Sequence, residues 1–253
     1  MSAERYLRGL TERLERISQT QLPALHQAAD LCAQAIAGGA LVHLFGTGHG
    51  TLPALEAFPR TGSFVGWHPI VVEAVGPVLR IGGDGSVHQF RCLQGTEEFG
   101  AAILESYPIH PGDPFLISSH SGVNRVVVEV ALGVKARSCP LIAITSLEHS
   151  LQASPRHSSG KKLYELADIV IDSFAPFGDA SVEIQGLDQR VAAVSTPLAT
   201  AIIGALVAQT AMRLVELGHQ PLVLGHIDRR GQSTPDEMRR DYVQALQDRL
   251  WRR

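Results

Sequence analysis

The feature that most constrains this chain is a repeated unit: a short apolar run, a small polar loop, then a helix-like stretch. Ala40-Leu41-Val42-His43-Leu44-Phe45 ends at Gly46, Asp113-Pro114-Phe115-Leu116-Ile117 ends in serines, and Pro140 to Ile144 ends at Thr145-Ser146. Ile169-Val170-Ile171 is a further run of the kind. Such runs, bounded by turn residues, read as strands buried on both faces. Thr51 to Phe58, Glu97 to Tyr107, Asn124 to Lys135 and Lys161 to Leu166 read as the intervening helices. Strand and helix in alternation imply βαβ units and an α/β fold, with a mostly parallel sheet covered on both faces.

The flanks fit around that core. Residues 4–37 carry Leu7, Leu10, Leu14 and Ile17 at helical spacing, Pro23 starts a second helix, and Gly38-Gly39 stops it. The stretch 60–95 is rich in Gly and Pro and reads as irregular, with one strand at Ile70 to Val75. Leu222 to Leu224 reads as a last strand, and a charged helix begins near Pro235. With no long linker and no repeat, 1–253 is expected to be one domain: a helical segment 1–38, a core 39–220, and a C-terminal strand and helix over 221–253. Val191 to Met212 is uncharged and at helical rise would reach roughly 33 Å, enough to cross a bilayer. Its Ser195, Thr196, Pro197, Thr200, Gln209 and Thr210 favour a buried helix, so no membrane partner is expected.

Composition narrows the function. A formal net charge of -3 without a long basic run argues against nucleic acid. Cys32, Cys92 and Cys139 lack CxxC spacing and sit among apolar residues, so buried free thiols are expected. The scattered histidines, His43, His49, His68 and His88 among them, form no HxxxH or HExxH, and neither a metal nor a cofactor is expected. The N-terminus runs straight into an amphipathic charged pattern, which points to the cytoplasm.

In open α/β sheets ligands sit beyond the carboxyl ends of the strands. Three strands here end in ligand-type loops: Gly46-Thr47-Gly48-His49-Gly50, Ser118-Ser119-His120-Ser121-Gly122-Val123-Asn124, and Thr145-Ser146. In the middle loop Ser119 and Ser121 offer hydroxyls, Gly122 lets backbone approach an anion, and Asn124 stands at a helix start. The dipole and first-turn N–H groups of that helix favour a phosphate there. A lone cap would explain one polar residue, not three around a glycine. The glycine loop by itself serves a turn or a ligand equally well.

Together the two loops resemble those of the sugar isomerase (SIS) domain family of phosphosugar isomerases and binding proteins, over about residues 40–220. The family's second motif is Ser-x-Ser-Gly-x-Thr; here it reads Ser119-His120-Ser121-Gly122-Val123-Asn124. The resemblance implies a flavodoxin-like, three-layer αβα sandwich, a phosphorylated sugar as ligand, and a homodimer or homotetramer. It implies that Ser119, Ser121 and Asn124 hold the phosphate; Gly48, His120, Gly122 and Ser146 in the strand-end loops, and His157 and Lys161 in the polar loop after the third strand, are further candidate substrate contacts. Asn124 replaces the usual Thr, and Gly50 stands where Ser is usual. For aldose–ketose isomerisation through an enediol, Glu56 is the candidate base, made stronger by apolar neighbours, or a surface carboxylate paired with Arg60. His49 is the candidate ring-opening acid. His157 and Lys161 are equally readable as a solvated loop. No His stands at Ser195-Thr196-Pro197, where several SIS isomerases have one. A phosphosugar isomerase is therefore expected, with a non-catalytic phosphosugar sensor or a sugar-phosphate lyase or deglycase as alternatives.

Overall fold

A computed structural model of the chain describes residues 1–76, 86–225 and 234–251. Two helices lead, α1 (Ser2–Thr20) and α2 (Leu22–Ala37), the second carrying Pro23 in its first turn. The core then runs β1 (Val42–Gly46), α3 (Thr51–Glu56), β2 (Trp67–Ile70), α4 (Val87–Gln94), α5 (Glu97–Glu105), β3 (Phe115–Ser118), α6 (Arg125–Ala136), β4 (Leu141–Thr145), α7 (Leu147–Gln152), α8 (Leu163–Leu166) and β5 (Ile169–Asp172). A hairpin of β6 (Ala180–Val182) and β7 (Val191–Ala193) leads into α9 (Ser195–Glu216), and α10 (Pro235–Leu250) follows.

The five core strands form one parallel sheet in the order β2-β1-β3-β4-β5. Period-two alternation divides its side chains between two layers. Val42, Leu44, Leu116, Ile142 and Ile144 join the core made with α2 and α9. Phe45, Phe115, Ile117, Leu141 and Ala143 face the opposite way and pack with α5 and α6. The result is the expected three-layer αβα sandwich. Helix α9 is long and apolar enough to cross a membrane. Here it buries Leu198, Ile202, Ile203, Leu206 and Leu214 in the core shared with α2.

Five readings need correction. The uncharged stretch from Val191 is not helical throughout, because Val191–Ala193 pairs antiparallel with Ala180–Val182 before the helix begins at Ser195. The strand expected at Ile70 to Val75 lies earlier, at Trp67–Ile70, and Glu73–Val75 is a 3-10 turn. Within 60–95, Val87–Gln94 is helical, capped by Ser86 accepting from Gln89 N; residues 77–85 lie outside the described part. Leu222 to Leu224 supplies only an isolated antiparallel bridge, Val223 to Phe64. Of the thiols, Cys32 and Cys139 are buried but Cys92 is exposed, on the outer face of α4.

Polar side chains also enter the sheet. His43 in β1 and His68 in β2 are register partners and meet Nδ1 to Nδ1 at 2.9 Å, while His43 Nε2 lies 3.3 Å from Asp113 Oδ2. With His43 donating from Nε2 to the Asp113 carboxyl, its Nδ1 accepts from the His68 N–H, so the three groups form a satisfied hydrogen-bond chain. Burial and then the neighbouring His43 push the His68 pKa down from 6.5 to about 4. An unfolded chain takes up a proton at pH 6.5 that the folded chain refuses until about pH 4. Stability therefore falls as pH falls through that window, by up to about 3 kcal/mol for this group. Urea titrations from pH 7 to 4 should show this loss, and His68→Phe should flatten it; equal pH slopes in both proteins would contradict the assignment.

Candidate functional site

Strand order places the site. β1 connects outward to β2 on one side, and the chain then crosses to β3 on the other, so the loops leaving β1 and β3 part at a topological switch point. A cavity of about 260 Å³ opens there. Thr47, Gly48, His49 and Gly50 form one wall and Ser118, Ser119, His120, Ser121 and Asn124 another, with Phe90 and Gln94 from α4 alongside. Thr145, Ser173, Asp179, Ser195 and Thr196 add polar lining, and Pro53, Ile144 and Ala199 add apolar lining.

The two loops nest backbone to backbone. A Cβ on Gly50 would lie 2.6 Å from the Ser118 carbonyl oxygen, and one on Gly46 would lie 2.2 Å from the Gly50 carbonyl oxygen. Gly50 has an ordinary helical φ of -64°, so close approach, not backbone freedom, demands glycine there. Gln94 Nε2 donates to Thr47 Oγ1 at 3.0 Å and ties α4 to the glycine loop.

The serine loop is braced from behind. Gly122 has φ +63°, and a Cβ on it would lie 2.9 Å from Ser150 Oγ. Ser119 Oγ accepts from Gly122 N at 3.2 Å, which leaves its hydroxyl proton to donate elsewhere. Thr145 Oγ1 donates to the His120 carbonyl at 3.2 Å and Ser150 Oγ to the Ser121 carbonyl. Buried Lys162 donates its Nζ to the Ser150 carbonyl at 2.6 Å. Asn124 takes the N-cap position of α6, with φ -68° and ψ 139°, but its side chain makes no capping bond. The first-turn N–H groups of α6 thus have no side-chain cap.

The opposite end has a different character. Helix α9 also starts at the cavity, but Asp179 caps it: Oδ1 accepts from Val194 N at 3.0 Å and Ser195 N at 2.7 Å, and Oδ2 accepts from Ser195 Oγ at 2.6 Å. Asp179 holds φ +71° to do so. Nearby, the His120 ring meets His149 edge-on at 4.6 Å, and His149 stacks on Phe177 at 4.7 Å. Both His120 ring nitrogens are buried without a hydrogen-bond partner. Burial pushes the His120 pKa below the ordinary histidine value, and Asp179 only partly offsets this.

Several expected residues lie elsewhere. Glu56 is not dry: its side chain is 39% exposed, ion-paired with Arg60, and borders a separate depression with Phe64, Thr200 and Gly204. Its helix turns that face away from the serine loop, so the expected desolvated base is not found there. Ser146 is fully buried, accepting from His149 N and donating to the Ala175 carbonyl at 2.6 Å, which makes it a cap of α7 and not a cavity residue. His157 is buried with Nε2 2.8 Å from Glu129 Oε2, and Lys161 is exposed; neither lines the cavity. His49 is exposed at the cavity rim. Sequence reasoning missed Asp179, Ser173, Phe90 and Gln94. The only available signal was Gly178-Asp179 ahead of an uncharged helix start, which spacing alone does not connect to the serine loop.

With this geometry in hand, the comparisons are specific. The profile described as "SIS domain" matches residues 5–146. A UPF0309 protein of Geobacillus thermodenitrificans is 33% identical over 249 residues, 98% of this chain and 96% of that one. A UPF0309 protein of Listeria monocytogenes is 35% identical over 216 residues, 85% of each chain. Among solved structures, a phosphoheptose isomerase from Francisella tularensis aligns with TM-score 0.51 at 14% identity, covering 82% of this chain and 95% of that one. The Vibrio vulnificus NanR protein, complexed with ManNAc-6P, aligns with TM-score 0.52 at 13% identity, covering 85% of this chain and 64% of that one. At those identities the structures speak for the fold.

The Gly50–Ser118 approach gives a direct test. Gly50→Ala should destabilise the protein by roughly 1–3 kcal/mol through overpacking. Gly204→Ala, where a Cβ in α9 meets nothing within 4 Å, should be neutral or stabilising. Urea unfolding that ranks the two the other way would refute the nested-loop account.

Proposed function

The chain belongs to the SIS domain family, and from that premise we propose that it binds a phosphorylated monosaccharide in the switch-point cavity. The observation carrying this reading is the start of α6: Ser119, Ser121 and the uncapped first-turn N–H groups converge where Asn124 also faces the cavity. Such a site holds a phosphate without Lys or Arg. A cavity of about 260 Å³ is at the small end of ligand pockets and favours one sugar phosphate over a dinucleotide.

The finer proposal is aldose–ketose isomerisation through an enediol. His120, which lines the cavity beside the serine loop with unpartnered ring nitrogens, is the proposed proton-transfer base in place of the ion-paired Glu56, and would need a ring rotation to present a nitrogen to substrate. His49 at the rim suits ring opening. A lyase or deglycase would begin with the same proton abstraction. The second reading, a non-catalytic phosphosugar sensor, is favoured by one fact: the cavity's carboxylate, Asp179, is already engaged as a helix cap. We place the protein in the cytoplasm, with no nucleic-acid or membrane partner.

One experiment separates these readings. In calorimetry with a panel of pentose, hexose and heptose phosphates, Ser119→Ala and Ser121→Ala should each weaken binding by roughly 1.5–3 kcal/mol. Unchanged affinity would remove the phosphate assignment. On the tightest ligand, NMR should show exchange of a carbon-bound proton with deuterated water, slowed roughly 10²–10⁴-fold in His120→Gln. Binding without exchange in the parent leaves the sensor.

We further propose a homodimer or homotetramer. Met212, Val215, Leu217, Leu222 and Val223 are exposed around the C-terminal end of α9, an apolar surface that a second copy would cover. Light scattering at micromolar concentration should give a multiple of the 27.2 kDa chain, and a monomeric mass would contradict this.

A further inference from the structure

We infer that Arg156 is a positioning residue that sets the orientation of the Asn124 amide, and that the polar loop after α7 exists to deliver it. The inference rests on the phosphate reading given above. Arg156 Nη1 donates to Asn124 Oδ1 at 3.3 Å. A guanidinium has donors only, so the atom it meets must be the amide oxygen. The NH₂ half of Asn124 is then left for the cavity that Asn124 lines. Turned the other way, the amide would present its oxygen to a phosphate and repel it. A threonine hydroxyl in this place rotates freely and needs no such control. Asparagine has two unlike ends, so replacing the usual Thr by Asn creates a need that Arg156 meets.

The surroundings are consistent with a built arm. The Arg156 side chain is exposed, but its carbonyl and the two residues that follow it are held in place. Arg125 Nε donates to the Arg156 carbonyl at 2.9 Å. Next in sequence, His157 is buried against Glu129 at 2.8 Å, with Nδ1 2.9 Å from Ser159 Oγ. Ser158 donates both its N–H, at 2.8 Å, and its hydroxyl, at 2.6 Å, to the Glu97 carboxylate. Those two bonds hold the Glu97 carboxyl below its ordinary pKa, as an ionised anchor. His157-Ser158-Ser159 thus gains a role that contact with substrate does not supply: it clamps the loop to α5 and α6, so that the side chain one residue earlier reaches the start of α6.

The test is a double-mutant cycle with inorganic phosphate and fructose 6-phosphate as probes, read by calorimetry, with melting temperatures as a folding control. Arg156→Gln should weaken both probes about tenfold in the parent, a charge-assisted bond's worth. In the Asn124→Thr background the same change should cost less than about threefold, because the hydroxyl needs no orienting. Equal losses in both backgrounds would mean that Arg156 acts only as a nearby charge and would overturn the inference. So would an Arg156→Gln protein that binds like the parent while Ser119→Ala still weakens phosphate, a result that leaves the phosphate site standing. Absence of phosphate binding in the parent overturns both. If Asn124→Thr binds neither probe, the Asn124 side-chain NH₂ resonances decide: they should shift on phosphate addition in the parent and not in Arg156→Gln, and identical shifts in the two would refute the proposal.

Discussion

The site depends on one close approach of backbone to backbone. Where the loop after β1 crosses the end of β3, the Gly50 position comes so near the Ser118 carbonyl that no side chain fits between them. That contact sets the floor of the cavity and the spacing of the glycine and serine loops. The parallel order β2-β1-β3-β4-β5 makes the approach available, since only at the β1/β3 junction do consecutive connections leave in opposite directions. The residue that replaces a hydroxyl with nothing, Gly50, is thus a packing requirement before it is a feature of ligand recognition.

Behind the serine loop the structure has a second layer of polar groups, each matched donor to acceptor. Lys162 reaches Ser150, Ser150 reaches the Ser121 carbonyl, and Thr145 reaches the His120 carbonyl. Buried polar groups are costly when unpaired and rigid when paired. The same rule makes His120 conspicuous. In a region where neighbouring hydroxyls and carbonyls are satisfied, its two ring nitrogens are not.

How much of this the sequence disclosed follows from the range of the interactions. The βαβ alternation and the serine loop are local: period, turn residues and a helix start lie within a few positions of one another, and they pointed correctly to a parallel sheet. Glu56 was misread because helix phase decides which face a residue occupies, and a helix as short as Thr51–Glu56 fixes phase poorly from sequence. Asp179 was missed because its partners, Val194 and Ser195, lie across a hairpin whose two strands are too short to carry a period-two signal. His157 and Ser146 were taken for ligand groups because a polar side chain that faces another element and one that faces a ligand look alike until the fold brings partners such as Glu129 and Ala175 beside them.

Two helices begin at one cavity, and they are not equivalent. The start of α6 has no side-chain cap, whereas the start of α9 is already neutralised by the Asp179 carboxylate. The cavity is therefore an electrically lopsided vessel, with one pole that welcomes negative charge and another where negative charge is already fixed. A ligand charged at one end has a single favourable heading inside it. On the reading proposed above, the unequal capping of two helices would disfavour a bisphosphate, independently of which hydroxyls the walls go on to read.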